Sequence, residues 1–115
     1  MKYLCLIYDN EAQQAKMTGE EGGKMMAEYG AFTEAIKKSG HYIGGNALQP
    51  TATATTVRSR SGKISTTDGP YVETKEQLGG YYLIEAKDLN DAVKVAARIP
   101  AARLGGIEVR PIWEM

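Results

Sequence analysis

A glycine-containing loop in the second half of the chain gathers the side chains best able to do chemistry. The stretch TTDGPYVETKEQLGGYYLIEA, residues 66–86, places Asp68, Glu73 and Lys75 ahead of an apolar run typical of a strand. An Asp carboxylate that is partly buried at a pocket mouth acquires a pKa suited to acid/base catalysis. Asp68 is therefore a candidate catalytic residue, and Tyr71, Glu73 and Lys75 are candidate substrate contacts.

The same loop has a purely structural interpretation. An Asp ahead of Gly commonly bonds its own backbone two residues on, so residues 68–70 fit an Asx-type turn. Thr74 and Gln77 have capping-box spacing, which predicts one helical turn closed by the glycines at 79–80. The length of the connection, residues 67–80, favours a site, because a link between two strands needs only about 2 to 5 residues.

His41 and the tyrosines supply the remaining candidates. His41 is the only histidine, and imidazole is well tuned for proton transfer near neutrality, so His41 is a second candidate catalytic residue. A surface position at a helix end is its structural alternative. Seven tyrosines stand beside one phenylalanine, and their hydroxyls need partners, which favours a polar cavity. The tyrosines taken as candidate substrate-binding residues are Tyr8, Tyr29, Tyr71 and Tyr82.

Composition excludes several classes of function. Fourteen basic residues balance fourteen acidic ones, so nucleic-acid binding is disfavoured. One His and one Cys cannot build a zinc site, and the glycine pairs do not form a phosphate-binding motif, so neither a metal nor a cofactor is predicted. No apolar run approaches the roughly 18 residues of a membrane span, and no signal peptide is evident. We therefore expect a cytoplasmic protein with no membrane partner.

The first third of the chain must form a strand and a helix. Residues 2–8, KYLCLIY, are apolar on both alternating faces, as in a strand covered on both sides. Cys5 within it is expected to be a buried thiol rather than a nucleophile. Thr18 and Glu21 have capping-box spacing at the start of a helix, which Gly40 ends.

The rest of the chain is rich in strands and contains a second helix. Two strands are expected on either side of Pro50, a third segment at residues 64–66, and a fourth strand at residues 81–86. Asp88 can cap the second helix and Pro100 stops it. Its predicted apolar stripe is Leu89, Ala92, Val93, Ala96 and Ile99. A last strand is predicted at residues 107–112.

This order of elements is the split βαβ pattern of a ferredoxin-like α+β fold, in one domain spanning residues 1–115. Two helices can cover only one face of such a sheet. The first strand leaves apolar residues on the other face, so a second copy of the chain is expected to cover it. The sequence thus predicts a homodimer.

Four segments carry a family resemblance across essentially the whole chain: MKYLCLIY, LQPTATATTVR, TDGPYVETKEQLGGYYLIEA and AARIPAARLGGIEVRPIWEM. They resemble the DGPF group of YCII-related (YciI-like) proteins. The resemblance implies a ferredoxin-like subunit that pairs through its sheet into a dimeric α/β barrel with a pocket in each half. It also implies mostly unknown function, a His and Asp pair that has suggested enzymatic activity, and links to extracytoplasmic-function sigma factors.

Two positions depart from that pattern. Tyr29 stands where the short YciI-like branch has its suggested catalytic His, and Leu104 stands where many DGPF sequences have His or Tyr. We expect a small-molecule enzyme of unknown substrate, using acid/base chemistry in a pocket near the dimer interface. The alternative is a non-catalytic ligand-binding or regulatory module associated with a sigma factor. An enzyme should have an enclosed pocket with Asp68 facing into it. A docking module should instead have an exposed apolar patch and an Asp68 that faces solvent.

Overall fold

The computed structural model describes residues 1–115. Six strands, three helices and two short 3₁₀ turns follow one another along the chain. The strands are β1 (Lys2–Asn10), β2 (Tyr42–Ala47), β3 (Thr55–Arg60), β4 (Lys63–Asp68), β5 (Glu76–Glu85) and β6 (Gly106–Pro111). The helices are α1 (Glu11–Gln14), α2 (Gly19–Lys38) and α3 (Leu89–Ala96), and the 3₁₀ turns are Thr51–Thr53 and Pro100–Arg103.

Four strands form one antiparallel sheet in the order β2-β5-β1-β6. β1 lies inside the sheet and pairs with β5 from Lys2↔Glu85 to Asn10↔Glu76. β3 and β4, which follow β2 and precede β5 along the chain, form a separate two-stranded hairpin. The α+β class is confirmed, and the strand order is compatible with a ferredoxin-like arrangement.

The two longer helices begin at the predicted caps. The Thr18 hydroxyl accepts from the Glu21 amide at 3.1 Å, and the Glu21 carboxylate accepts from the Thr18 amide at 3.0 Å, completing the capping box of α2. Gly40 follows α2 with φ +81, a conformation that favours glycine. The Asp88 carboxylate accepts from the Asp91 amide at 2.9 Å at the start of α3. No helix is long and apolar enough to cross a membrane.

The core lies between the helices and one face of the sheet. Tyr3, Cys5 and Ile7 alternate along β1 and are buried on this face, as predicted. Burial raises the pKa of the Cys5 thiol to about 11. The other core side chains are Phe32, Ile36, Ile84, Ala86, Ala92, Val95, Ala96, Ile99 and Ala101.

The opposite face of the sheet carries no helix and remains apolar. Leu4 lies opposite Leu83, and Tyr8 lies opposite Leu78, in the β1–β5 register. All four side chains are half-buried, and Leu6 between them is too. The two-sided apolar character predicted for the first strand is therefore confirmed, and we refer to these five residues as the open sheet face.

The helical turn predicted around residues 74–77 is wrong. β5 begins at Glu76, because the backbone there pairs with Asn10 of β1. The Gln77 side chain folds back and donates to the carbonyls of Val72 at 3.0 Å and Thr74 at 3.1 Å, rather than capping a helix. The connection between β4 and β5 therefore spans only residues 69–75.

The Asx-type turn predicted at residues 68–70 is also wrong. Asp68 is the last residue of β4, pairs with Thr55, and its side chain makes no hydrogen bond. Gly69 shapes the chain there instead, with φ +113 and its amide donating to the Ala54 carbonyl at 2.8 Å.

The apolar stripe of α3 differs in part from the prediction. Leu89 and Val93 are each about half exposed, whereas Val95 is buried. The buried positions of α3 are 92, 95 and 96, so the buried face is rotated around the helix axis from the predicted one. α3 ends at Ala96, before Pro100, and the buried Ile99 lies beyond the helix.

Candidate functional site

A cavity of about 940 Å³, the main cavity, lies between α2 and one end of the sheet. It is formed by the C-terminal end of β1, by α1, by the end of β2 and by the start of β5. The side chains that give it chemical character are Ile7, Asp9, Gln14, Met26, Tyr29, Thr33 and Tyr82. Its size is that of sites that take metabolites and drug-sized molecules.

Asp9 is the buried ionisable group of this cavity. Its side chain is only 7% exposed, at the end of the inward-facing row of β1. One carboxylate oxygen accepts from the Asn10 amide at 2.7 Å, and the other accepts from the Gln14 side-chain amide at 2.8 Å. No basic side chain forms an ion pair with it. Charged groups are rarely buried without such a partner, so Asp9 is the unusual feature of the site.

Sequence reasoning did not identify Asp9, although a signal for it was present. The buried positions of β1 alternate as 3, 5 and 7, and the strand continues to Asn10. Extending the alternation by one more step places Asp9 on the covered face. A carboxylate at such a position would have marked the site.

Two tyrosines form the wall beside Asp9. Thr33 donates its hydroxyl hydrogen to the Tyr29 carbonyl at 2.9 Å, so the Tyr82 hydroxyl donates to the Thr33 oxygen at 2.8 Å. Burial raises the pKa of Tyr29. A hydrogen bond with the Ala101 backbone and the charge of Arg103 lower this pKa, whereas Tyr82 and Asp9 raise it. Tyr29 is therefore a protonated hydroxyl near neutrality.

Close backbone contacts fix the site from two sides. A Cβ atom on Gly105 would lie 2.1 Å from the Tyr8 carbonyl oxygen and 3.1 Å from the Asp9 Cα atom. A Cβ atom on Gly80 would lie 3.0 Å from the Asn46 carbonyl oxygen. Glycine at position 105 is therefore required for this approach to β1, whereas a Cβ atom at position 80 would require β2 to shift by a few tenths of an ångström.

A second, more open cavity of about 500 Å³ adjoins the main cavity, and Glu11 lines both. One Glu11 oxygen accepts from the Thr51 amide at 2.9 Å, and the other accepts from the Thr51 hydroxyl at 2.7 Å. This double contact ties α1 to the 3₁₀ turn that follows β2. Pro70, Glu73 and Lys75 lie on the far side, in the second cavity.

The whole chain, residues 1–115, matches the model of the YCII-related domain. The chain belongs to the YCII-related family. An uncharacterized protein of Rhizobium meliloti (strain 1021) is 34% identical over 114 residues, which cover 97% of this chain and 92% of that protein. The resemblance to YCII-related proteins stated from the sequence is thereby confirmed at the level of the family.

The YCII-related chain brings some of the predicted binding residues together. Tyr29 and Tyr82 line the main cavity, while Glu73 and Lys75 line the second one. Tyr8 belongs to the open sheet face instead.

Tyr71 lines neither cavity and is 69% exposed. The guanidinium carbon of Arg58 on the β3–β4 hairpin lies 5.0 Å from the centre of the Tyr71 ring. This contact is a cation–π interaction at an exposed site, which holds the loop that follows β4 against the hairpin.

The two predicted catalytic residues of this YCII-related protein lie outside both cavities. Asp68 is exposed at the end of β4. His41 precedes β2 at the opposite end of the sheet from Asp9. Its Nε2 atom is 3.2 Å from both carboxylate oxygens of Asp91, and its Nδ1 atom is 2.7 Å from the Ser39 hydroxyl. His41 thus joins the end of α2 to α3. No three His, Cys, Asp or Glu side chains are grouped as metal ligands.

Proposed function

We propose that this protein is a small-molecule enzyme that uses acid/base chemistry in the main cavity, with Asp9 as the proton acceptor. The observation that carries the proposal is a nearly buried carboxylate that faces a cavity of about 940 Å³ and has no basic partner. Perturbed or unpaired ionisable groups in clefts are characteristic of functional sites.

The surroundings of Asp9 suit proton transfer. Each carboxylate oxygen accepts one hydrogen bond and can accept another, so both can still reach a substrate. Tyr29 keeps its proton near neutrality and can donate a hydrogen bond to a substrate oxygen or nitrogen. A base and a donor on the same cavity wall are the minimum set for moving a proton within a bound molecule. The proposal places this role on Asp9 rather than on Asp68 or His41.

The variant Asp9→Asn tests the role of the carboxylate. The substituted amide can keep the bond from the Asn10 backbone, and Gln14 can turn its own amide round to accept from the new NH₂ group. Folding should therefore persist while turnover falls by about 10² or more, as for loss of a general base. Metabolite pools incubated with each protein and read by mass spectrometry would measure it. Asp68→Asn is the matched control, and equal turnover by Asp9→Asn and wild type would contradict the proposal.

We also propose that two copies pair through the open sheet face as a dimeric α/β barrel, the assembly implied by the DGPF group. Leu4, Leu6 and Leu83 support this, because they lie on an uncovered sheet face where apolar side chains are unfavourable in water. Sedimentation at micromolar concentration should give a dimer for wild type and a monomer for Leu6→Lys. A stable wild-type monomer would contradict it.

A docking module that binds an extracytoplasmic-function sigma factor is the second candidate function. The β3–β4 hairpin favours it, because Asp68 is exposed there and Val57 and Ile64 are 62% and 77% exposed. Ile64→Asp should then abolish co-purification with the sigma factor, whereas Asp9→Asn should not affect it. Both candidates place the protein in the cytoplasm, where a thiol such as Cys5 remains reduced.

A further inference from the structure

The charged side chains that line the main cavity have one sign. Among the residues that line it, Asp9 and Glu11 are acidic, and none is Lys, Arg or His. The second cavity adds Glu73 and a single basic residue, Lys75, so it does not reverse that sign. Because a cavity wall excludes much of the water, this arrangement repels an anion and attracts a cation.

The two carboxylates differ in what they can still bind. Glu11 already receives both hydrogen bonds of Thr51, which fixes it as a structural link. Asp9 receives its bonds from two neutral amides, so its negative charge is not compensated within the chain. An ammonium group supplies both the missing positive charge and N–H donors for the free lone pairs of Asp9.

The rest of the wall suits the carbon part of such a molecule. Ile7, Met26 and Leu48 offer apolar surface, and the Tyr29 and Tyr82 rings lie on the same cavity. Tyrosine rings attract cations through their faces, and apolar walls favour a hydrocarbon body.

We propose that the main cavity binds a small organic cation, an amine with an apolar or aromatic body, whose ammonium contacts the Asp9 carboxylate. This inference rests on the proposed function, because it assigns a substrate class to the same cavity. The ammonium occupies one Asp9 oxygen and leaves the other to accept a proton.

Three probes of similar size and different charge test the proposal: phenethylamine, phenethyl alcohol and phenylacetate. Their binding to the full chain at neutral pH can be followed by ligand-observed NMR. The amine should bind about tenfold tighter than the alcohol, the ratio expected of one charge pair discounted for solvent at the cavity mouth. Phenylacetate should bind weakest.

Three variants locate the effect. Asp9→Asn should bring the amine down to the affinity of the alcohol, whereas Asp68→Asn removes one negative charge at an exposed position outside both cavities and should leave the preference intact. Ala47→Phe, which fills the cavity from an exposed position on β2, should abolish all binding. If Asp9→Asn fails to fold, the order of the three probes on wild type still decides.

The outcomes separate this inference from the proposed function. Binding that Ala47→Phe abolishes, but in which the alcohol or phenylacetate equals the amine, would overturn the cation proposal and leave the cavity as a binding site. Binding that Ala47→Phe leaves unchanged would overturn the cation proposal, as would no binding of any probe. The proposed function is tested separately, by the turnover of Asp9→Asn. An amine preference that Asp68→Asn also removes would overturn the assignment to Asp9.

Discussion

Replacing Gly105 by alanine is the sharpest test of how the chain builds the Asp9 site. The added Cβ atom would lie 2.1 Å from the Tyr8 carbonyl oxygen, 3.0 Å from the carbonyl carbon and 3.1 Å from the Asp9 Cα atom. All three neighbours are backbone atoms, so no side chain can turn aside to relieve the clash. β1 and the segment before β6 must therefore move apart by about 1 Å, which disturbs the close-packed interior beside them.

The magnitude follows from the kind of strain. Overpacking that forces backbone shifts typically destabilises by about 1 to 3 kcal/mol, and the upper end applies when the obstacle is backbone. For a domain of this size, about 3 kcal/mol corresponds to a fall in Tm of roughly 10 °C. The neighbouring pair Tyr8↔Gly106 begins the β1–β6 ladder, so the loss should include fraying of that strand pair.

Gly106→Ala is the matched control, since a Cβ atom there meets nothing within 4 Å. Its free energy of unfolding should stay within about 1 kcal/mol of wild type, because alanine also lowers the entropy of the unfolded chain. Thermal melts followed by circular dichroism, with urea titrations for the free energies, measure both variants. If Gly105→Ala and Gly106→Ala melt within about 2 °C of each other, the close approach does not constrain the site, and the reasoning is wrong.

Three further predictions follow from individual contacts. Thr18→Ala removes the acceptor for the Glu21 amide and should lower the free energy of unfolding by about 1 kcal/mol, measured by urea titration; no change would mean that α2 needs no cap. Cys5 should resist a water-soluble alkylating reagent until the protein unfolds, because it is buried and its pKa is raised to about 11; rapid labelling of the native protein, read by mass spectrometry, would contradict this. The Lys87 amide, and then His41, lower the pKa of Asp91 from its ordinary 3.8. The stability that this carboxylate contributes to the fold is therefore fully present above pH 3.8 and is lost as the pH falls below that value. Asp91→Asn should flatten the loss of stability in acid melts, and an unchanged acid profile would show that the depressed pKa has no effect on folding.

Much of the fold could be predicted from local patterns. The nearly continuous apolar run along β1 identified a strand with two apolar faces, and the spacing of Thr18 and Glu21 located the start of α2. These features depend on neighbours within a few residues, where one conformation satisfies both the backbone and the side chains. The same capping spacing at Thr74 and Gln77 failed, because the β1 edge offered that backbone a ladder of hydrogen bonds that a single helical turn cannot match.

The site was harder to predict because its members are brought together by the sheet. The loop around Asp68 drew attention since it concentrates charged and turn residues, yet exposed loops collect such residues for solvation alone. Asp9 sits beside Tyr29 only after β1 is inserted between β5 and β6 and α2 is packed on it. Sequence distance and composition carry little information about that juxtaposition.

The uncompensated charge of Asp9 connects the architecture with the proposed chemistry. A buried carboxylate needs hydrogen-bond partners, and Asp9 receives them from two neutral amides rather than from a cation. An asparagine could receive the Asn10 bond and exchange another with Gln14 without carrying a charge. Glu11 shows the contrast, because both of its oxygens hold Thr51 and its carboxylate is accounted for by the fold. The proposed function accounts for this negative charge at position 9, at the end of a strand held by the close approach of Gly105, by assigning it to a molecule that enters the cavity.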